Sequence, residues 1–484
     1  MTVERVEYGG GSVVVYRADV RVALASLDEG CVQCCVTSPP YWGLRAYGTE
    51  PQVWATADCG LWVADCEHVW GADLPPHHPG QVEQTKWKNA EAAGKGQTAA
   101  SGAFCYKCGA WRGELGHEPT SDLYVEHLVE VFRGVRRVLR DDGCFWLNID
   151  DSYDGQGELC NVPHRLAEAL RADGWRWRQT VIWPKAAPMP ESVKGWRWER
   201  CRVKAENGID WIPCPGCDKC RPNGGYVIRR GSWRCTTAHE YIFMFVKSDR
   251  YFCDGEAVKE PFADSRMGNP GGGGQYAKSC PYQNQSENQQ SGLQKGIWNE
   301  DGAHTGANPR SVWRIKGEPS RFKHYASFPS GLPRRCIQAS TSEKGCCPKC
   351  GTPWAPVVEW QAMVLERSGR GKEMGKYGTT CTSGKMVSPP MSRVLDYRPA
   401  CSCPPADPVP CVVLDPFAGT GTTLAVAVEL GQRAIGIELN PEYLPMIRKR
   451  IETAVEARRI VQGGTPLTGD PARDAAVEGR RTFF

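Results

Sequence analysis

A serine, two prolines and a tyrosine, Ser38-Pro39-Pro40-Tyr41, follow an apolar run that ends at Thr37. A hydroxyl and a carbonyl fixed by two prolines form a pair of hydrogen-bond acceptors with little local freedom. Such a pair suits an amine on an aromatic ring. Two acceptors for its hydrogens localise a lone pair that would otherwise spread into the ring, and so make the nitrogen a better nucleophile. Tyr41 adds a face on which a planar ring can stack. Far along the chain, Val412-Val413-Leu414 runs into Asp415-Pro416-Phe417-Ala418-Gly419-Thr420-Gly421-Thr422-Thr423. This reads as a strand, a glycine turn and the start of a helix, the arrangement by which an α/β sheet holds a nucleoside cofactor at its carboxyl edge. Gly419 and Gly421 permit close backbone approach, and Glu438, which ends the next strand-like run, is placed to accept bonds from ribose hydroxyls. Leu424 stands where a Rossmann loop has its third glycine, and a phosphate-binding lysine is absent.

Together these segments resemble the catalytic and cofactor motifs of DNA methyltransferases that modify an exocyclic base amine, cytosine N4 or adenine N6. The catalytic motif precedes the glycine loop, which resembles the permuted order usually called beta. The resemblance implies S-adenosylmethionine as cofactor, double-stranded DNA as partner, and a base flipped from the duplex onto Tyr41. It implies a Rossmann-like α/β core with a mostly parallel, seven-stranded sheet. Catalytic roles fall on Ser38, Pro39, Pro40 and Tyr41, and cofactor contacts on Asp415, Phe417, Gly419, Gly421, Thr422 and Glu438. It adds Asp19 as an adenine contact, and Tyr325 and Phe328, in the string His324 to Pro329, as a wall of the methionine pocket. Asp19 could equally cap the helix that follows it.

In that family serine at the first motif position is more typical of cytosine enzymes, so cytosine N4 is expected over adenine N6. Methylation of RNA or of a protein glutamine is an alternative, as is an inactive zinc-rich DNA-binding protein. Ser38 argues against the first, and the intact Ser38, Tyr41, Gly419, Gly421 and Glu438 against the second. Methylation at cytosine C5 requires a thiolate nucleophile. Cys214 lies in a metal-like cluster and Cys411 opens a strand, so neither is suited to that role.

The chain carries 24 cysteines. It shows neither a secretory leader nor an apolar stretch long enough to span a membrane, so a cytoplasmic protein with reduced thiols is expected. Paired spacings then read as structural zinc sites. Cys66-x-His68 with Cys105-x-x-Cys108 is the first, with Cys59 a competing ligand; Cys347-x-x-Cys350 with Cys401-x-Cys403 is the third, with Cys346 a spectator. Between them Cys214, Cys217 and Cys220 need a fourth ligand, Cys201 or Cys235, of which Cys201 is taken; an iron–sulfur cluster is the alternative there. Cys31-x-x-Cys34 sits in a buried strand and is assigned to the core.

The elements that must position these residues alternate helix and strand, which argues for an open, mostly parallel sheet. Residues 1–58, 121–190 and 236–262 are assigned to a catalytic half, and 311–345 with 405–461 to a cofactor half. Zinc-ribbon-like insertions occupy 59–120 and 346–404, and 191–235 is a Cys-rich insertion and candidate target-recognition element. In it Lys194 to Arg200 and Gly225 to Arg234 interleave basic and aromatic residues, which suits phosphates and bases. A flexible Gly/Gln/Asn-rich loop is expected over 263–310 and a polar tail over 462–484. Within the catalytic half, helices are read near Tyr124–Leu139 and Leu166–Leu170, with Gly143 as a helix breaker. The net charge of +4 is compatible with nucleic acid without demanding it. Monomer and homodimer both remain open.

Overall fold

The computed structural model describes residues 3–44, 47–55, 66–71, 103–154, 157–188, 190–191, 193–205, 208–260, 307–318, 328–361, 364–367, 384–388 and 391–461. Cys59, Tyr325, the tail 462–484 and nearly all of the expected loop 263–310 lie outside the described residues.

The central element is an eight-stranded sheet. In chain order its elements and the helices around it are β1 (Glu4–Tyr8), β2 (Val13–Arg17), α1 (Val20–Ser26), β3 (Val32–Thr37), α2 (Ser121–Val138), β4 (Leu139–Ile149), α3 (Val162–Ala172), β5 (Arg176–Pro184), β6 (His239–Val246), α4 (Gly331–Ser340), β7 (Val412–Asp415), α5 (Thr422–Glu429), β8 (Arg433–Ile437) and α6 (Leu444–Val461). The strand order is β1-β2-β8-β7-β3-β4-β6-β5. β2, β8, β7, β3 and β4 pair in parallel, while β1 on β2 and β6 on β4 are antiparallel. The expected mostly parallel α/β sheet is therefore present, with eight strands rather than seven. The additional strand is β1, whose charged residues Glu4, Arg5 and Glu7 lie at the open edge of the sheet.

Alternation along the central strands sorts the core into two layers. On β3 and β4, Val32, Cys35, Phe145, Leu147 and Ile149 face the layer packed with Leu24, Leu128, Phe132 and Leu166 of α1 to α3. Cys34, Val36, Cys144 and Trp146 face the opposite layer, with Leu332, Ile337, Leu424 and Ile447 of α4 to α6. Burial on both faces explains why these strands read as nearly continuous apolar runs. Gly143 does not break a helix. It lies inside β4, where a Cβ would come 2.8 Å from Leu139 and 2.9 Å from the Gln33 carbonyl; the helix ends earlier, at Val138.

Residues Pro184–His239 form a second compact unit, separate from the unit that holds the sheet. Within it Arg197–Arg200 pairs with Tyr226–Arg229 and Arg202–Lys204 with Trp211–Pro213, both antiparallel. No described helix is long and apolar enough to cross a membrane.

Candidate active site

From β7 the chain passes through α5 to β8 on one side, and from β3 it passes on to β4 on the other. The carboxyl ends of β7 and β3, neighbours in the sheet, therefore flank a topological switch point, the place where open α/β sheets bind ligands. Both sequence motifs emerge there. A buried hydrogen bond joins them: Thr37 Oγ1 donates to Asp415 Oδ1 at 2.7 Å, across 378 residues of chain. Asp415 also accepts from the Phe417 N–H at 3.1 Å, and burial pushes its carboxyl up to about 6. The Asp415 side chain thus ties the two loops together.

In the Ser-Pro-Pro-Tyr loop, Ser38 Oγ donates to the Tyr41 hydroxyl at 3.0 Å, and that hydroxyl donates to Glu240 Oε2 at 2.8 Å. Asn148 Oδ1 lies 3.3 Å from the same hydroxyl, and its Nδ2 donates to the Tyr241 carbonyl at 3.1 Å. Burial, and then the Glu240 charge, hold the Tyr41 phenol well above its ordinary value, so it stays a donor. With its proton directed at Tyr41, Ser38 Oγ turns lone pairs outward. The Pro40 carbonyl is occupied by the Tyr124 hydroxyl at 2.6 Å. Among the described residues no hydrogen bond reaches the Pro39 carbonyl, which leaves it free to accept.

The residues after this loop are braced by the segment that follows the first cysteine group. Gly43 N–H donates to the Gly116 carbonyl at 2.9 Å, and Trp42 Nε1 to the Glu118 carbonyl at 3.0 Å. Glu240 and Asn148 were not singled out from the sequence, although each is a polar residue at the end of an apolar run, Tyr241–Val246 and Cys144–Leu147, a signal that could have found them.

The glycine loop adopts the backbone expected of it: φ is +52° at Gly419 and +79° at Gly421, which precedes α5. A Cβ at Gly421 would lie 3.2 Å from Ile447. Gly421→Ala is expected to cost about 1–2 kcal/mol, the penalty for a left-handed L-residue, read as a lowered thermal unfolding midpoint. The room usually made by a third glycine comes from the neighbouring strand instead. A Cβ on Gly436 of β8 would fall 2.6 Å from Leu424, so the glycine and the bulky residue have exchanged sides.

Glu438 Oε2 accepts from the Gly419 N–H at 2.7 Å and Oε1 from the Asn440 N–H at 2.8 Å. Each oxygen keeps a second lone pair for a ligand hydroxyl. Thr420 Oγ1 is buried in this loop without a hydrogen-bond partner among the described residues. An orphaned hydroxyl, an acid aimed into the loop and two left-handed glycines together fit a polar nucleoside ligand. Thr422 follows Gly421, and its Oγ1 accepts from Arg450 at 2.8 Å.

Phe328 is half-buried against the α4 to α6 layer. Asp19 caps α1 by accepting from the Arg21 N–H at 2.8 Å, and both its oxygens also meet the Arg21 guanidinium. Its cap role is thus realised in the structure.

Three groups gather as their spacing predicts: Cys66, His68, Cys105 and Cys108; Cys201, Cys214, Cys217 and Cys220; and Cys347, Cys350, Cys401 and Cys403, with ligand atoms of each within 4.8 Å of one another. The middle group takes Cys201, and Cys235 is exposed. Its sulfurs stand 3.8 Å (Cys201–Cys217), 3.6 Å (Cys217–Cys220) and 3.9 Å (Cys220–Cys214) apart. A tetrahedral ion with bonds of about 2.3 Å places its sulfurs roughly 3.8 Å apart, whereas a disulfide needs about 2.05 Å. These donor sets therefore fit a tetrahedral metal ion. The third group is pinned to the amino end of the sheet, where Gln33 Nε2 donates to the Gly351 carbonyl at 3.0 Å and Arg140 donates to the Cys350 carbonyl. Cys34, by contrast, is fully buried in β3 and joins no such group.

Comparison with known proteins returns the same class of protein. The type II methyltransferase M.SmaI of Serratia marcescens is 24% identical over 478 residues, covering 93% of this chain and 94% of that one. M.XycI of Xanthomonas campestris pv. cyanopsidis is 24% identical over 466 residues, covering 90% and 87%. Among solved structures, PvuII DNA methyltransferase (cytosine-N4-specific) is 13% identical and covers 94% of each chain, with a TM-score of 0.40. The N6/N4 DNA methylase family pattern matches residues 32–347 and 408–449, through both the Ser-Pro-Pro-Tyr and the glycine loop, and the chain belongs to that family.

Proposed function

We propose that this DNA methyltransferase transfers the methyl group to the exocyclic amine of a base turned out of duplex DNA, cytosine N4 in preference to adenine N6. The observation that carries the reading is the Thr37–Asp415 bond, which holds the Ser38 loop and the cofactor loop side by side. S-Adenosylmethionine supplies an electrophilic methyl group. Gly419, Gly421 and Glu438 would hold it, with Phe417, Thr422 and Phe328 as further contacts; the family resemblance adds Tyr325 and Asp19.

The chain's own residues prepare the amine. Ser38 Oγ and the Pro39 carbonyl accept its two hydrogens, and the half-buried Tyr41 ring gives the base a face. The proton that the nitrogen sheds after transfer has an ordered path: to Ser38 Oγ as the Ser38 proton passes to Tyr41 and the Tyr41 proton to the Glu240 carboxylate. Serine in place of aspartate or asparagine at this position supports cytosine. Transfer of labelled methyl to DNA, followed by nucleoside analysis, tests this directly. N4-methylcytosine is expected; N6-methyladenine would overturn the base preference, and no label in DNA the reaction itself.

We assign zinc to the three cysteine groups, since sets of four thiolates, or three with one imidazole, close a tetrahedral site and leave no open position for catalysis. Metal analysis of the purified chain should return up to three zinc ions per molecule.

Glu438 gives the cofactor site a pH signature. Burial pushes its carboxyl up to about 8 despite the backbone N–H groups that face it. Ribose hydroxyls donate to the ionised form, so cofactor binding lowers that value and releases a proton whenever the free site is protonated. Affinity for S-adenosylmethionine is therefore expected to weaken below pH 8, by at most about tenfold per unit. Titration calorimetry in buffers of different ionisation enthalpy would show the proton, and Glu438→Gln would abolish this contribution.

A further inference from the structure

None of the proposed catalytic or cofactor residues lies in the unit Pro184–His239, and its surface is unusual. All four of its tryptophans are more than half exposed: Trp196 (70%), Trp198 (55%), Trp211 (59%) and Trp233 (69%). Large aromatic rings are rarely left in water without a partner. The exposure is also ordered. In the hairpin formed by Arg197–Arg200 and Tyr226–Arg229, Trp198 lies opposite Ile228 and Arg200 opposite Tyr226. Side chains alternate along a strand, so these four share one face, and all are exposed.

The one carboxylate of these two strands is sorted away from that face. Glu199 points to the other side, where it pairs with Arg197 at 2.6 Å and Arg229 at 3.5 Å. Arg200, Arg202 and Arg230 form no ion pair among the described residues. Arg200 and Arg230 instead lie over Tyr226 and Trp196, at 5.2 Å and 5.0 Å from the ring centroids. The whole unit has eleven lysines and arginines against five carboxylates. The second hairpin repeats the arrangement, with Lys204 5.9 Å from the exposed Trp211 ring. Both hairpins grow from the middle cysteine group: Cys201 joins Arg197–Arg200 to Arg202–Lys204, Cys214 follows Trp211–Pro213, and Cys220 lies ahead of Tyr226–Arg229.

We infer that the Trp198, Arg200, Tyr226 and Ile228 face is a duplex-DNA-binding surface, a two-stranded ribbon that enters a groove. The inference rests on duplex DNA being the substrate. A polyanion complements uncompensated arginines, whereas a purely apolar partner would leave them desolvated and unpaired. The major groove, about 12 Å wide, admits a two-stranded ribbon. Aromatic and branched side chains among the cations suit base edges and thymine methyls, and the arginines suit phosphates.

The test uses the full-length, metal-loaded chain and a mixed-sequence duplex of about 30 base pairs, with binding followed by fluorescence anisotropy over a range of KCl. Trp198→Ala with Ile228→Ala is expected to weaken binding at least tenfold. Arg200→Ala with Arg202→Ala is expected to reduce the slope of log K against log salt by about two. In both variants zinc content and circular dichroism should match the parent, because the side chains removed are exposed, and methyl transfer at saturating DNA should persist with a raised KM for DNA. Unchanged affinity and salt slope in both variants would overturn the assignment. So would a change in sedimentation from dimer to monomer with DNA binding intact, which would make the face a contact between copies. A parent chain that binds the duplex but transfers no methyl group would instead count against the proposed reaction and leave this surface standing.

Discussion

Replacing Ser38 by alanine is expected to lower the single-turnover rate of methyl transfer by about 10²–10³-fold, equivalent to about 3–4 kcal/mol of transition-state stabilisation, by analogy with removal of one preorganised polar group at a developing charge. Binding of S-adenosylmethionine should change little, because Ser38 lies in the loop after β3, whereas the cofactor residues Gly419, Gly421 and Glu438 lie in the loops after β7 and β8. The magnitude follows from what remains. Without the hydroxyl the amine keeps only the Pro39 carbonyl, and the Tyr41 hydroxyl loses the donor that faces it at 3.0 Å. Two further variants separate acceptance from proton transfer. Tyr41→Phe keeps the ring face and removes the link to Glu240, so a smaller loss is expected. Glu240→Gln keeps an acceptor 2.8 Å from the phenol but cannot take up a proton, so its defect should appear in the single-turnover rate more than in KM. Should Ser38→Ala transfer methyl groups at the parental rate, the catalytic assignment of this loop would be wrong.

How much of this was legible in the sequence differs from residue to residue, for physical reasons. The two loops were legible because each follows a strand buried on both faces and carries residues with narrow backbone tolerance, prolines in one and left-handed glycines in the other. Their meeting at one edge was implied only through the resemblance, since a 378-residue separation has no local signature. β1 was missed because a short edge strand with alternating charges looks like a polar terminus. Gly143 was misread because glycine stops helices, but it also occurs where a neighbouring chain leaves no room for a Cβ, as Leu139 and Gln33 do here. The missing third glycine was a real departure from the Rossmann pattern whose remedy, Gly436, lies on another strand and only packing reveals it. Cysteine spacing found the three groups that gather in space, and Cys201, taken over Cys235, lies with the middle one because it joins the two strands that flank it.

Loss of the zinc assigned above to the middle cysteine group should have a large structural effect, confined to residues Pro184–His239. Among the described residues of Pro184–His239 the only buried apolar side chain is Cys220, itself one of the four gathered cysteines. A unit this small with no hydrophobic core cannot offset its chain entropy by burial. Structural zinc in small modules contributes about 10–16 kcal/mol of apparent binding free energy, which is also folding free energy. Removing the ion with a chelator, or weakening the site by Cys217→Ser, is therefore expected to abolish hydrogen-exchange protection across Arg197–Arg200 and Tyr226–Arg229. The sheet that carries Gly419, Gly421 and Glu438 has two packed layers of its own, so in Cys217→Ser the cofactor affinity should be retained while duplex binding falls. Cobalt substituted for zinc would report the geometry through the absorption of a tetrahedral four-thiolate site. If the chelated chain kept full protection in both hairpins, the sulfurs 3.6–3.9 Å apart would be a packing arrangement and the metal would have no structural role there.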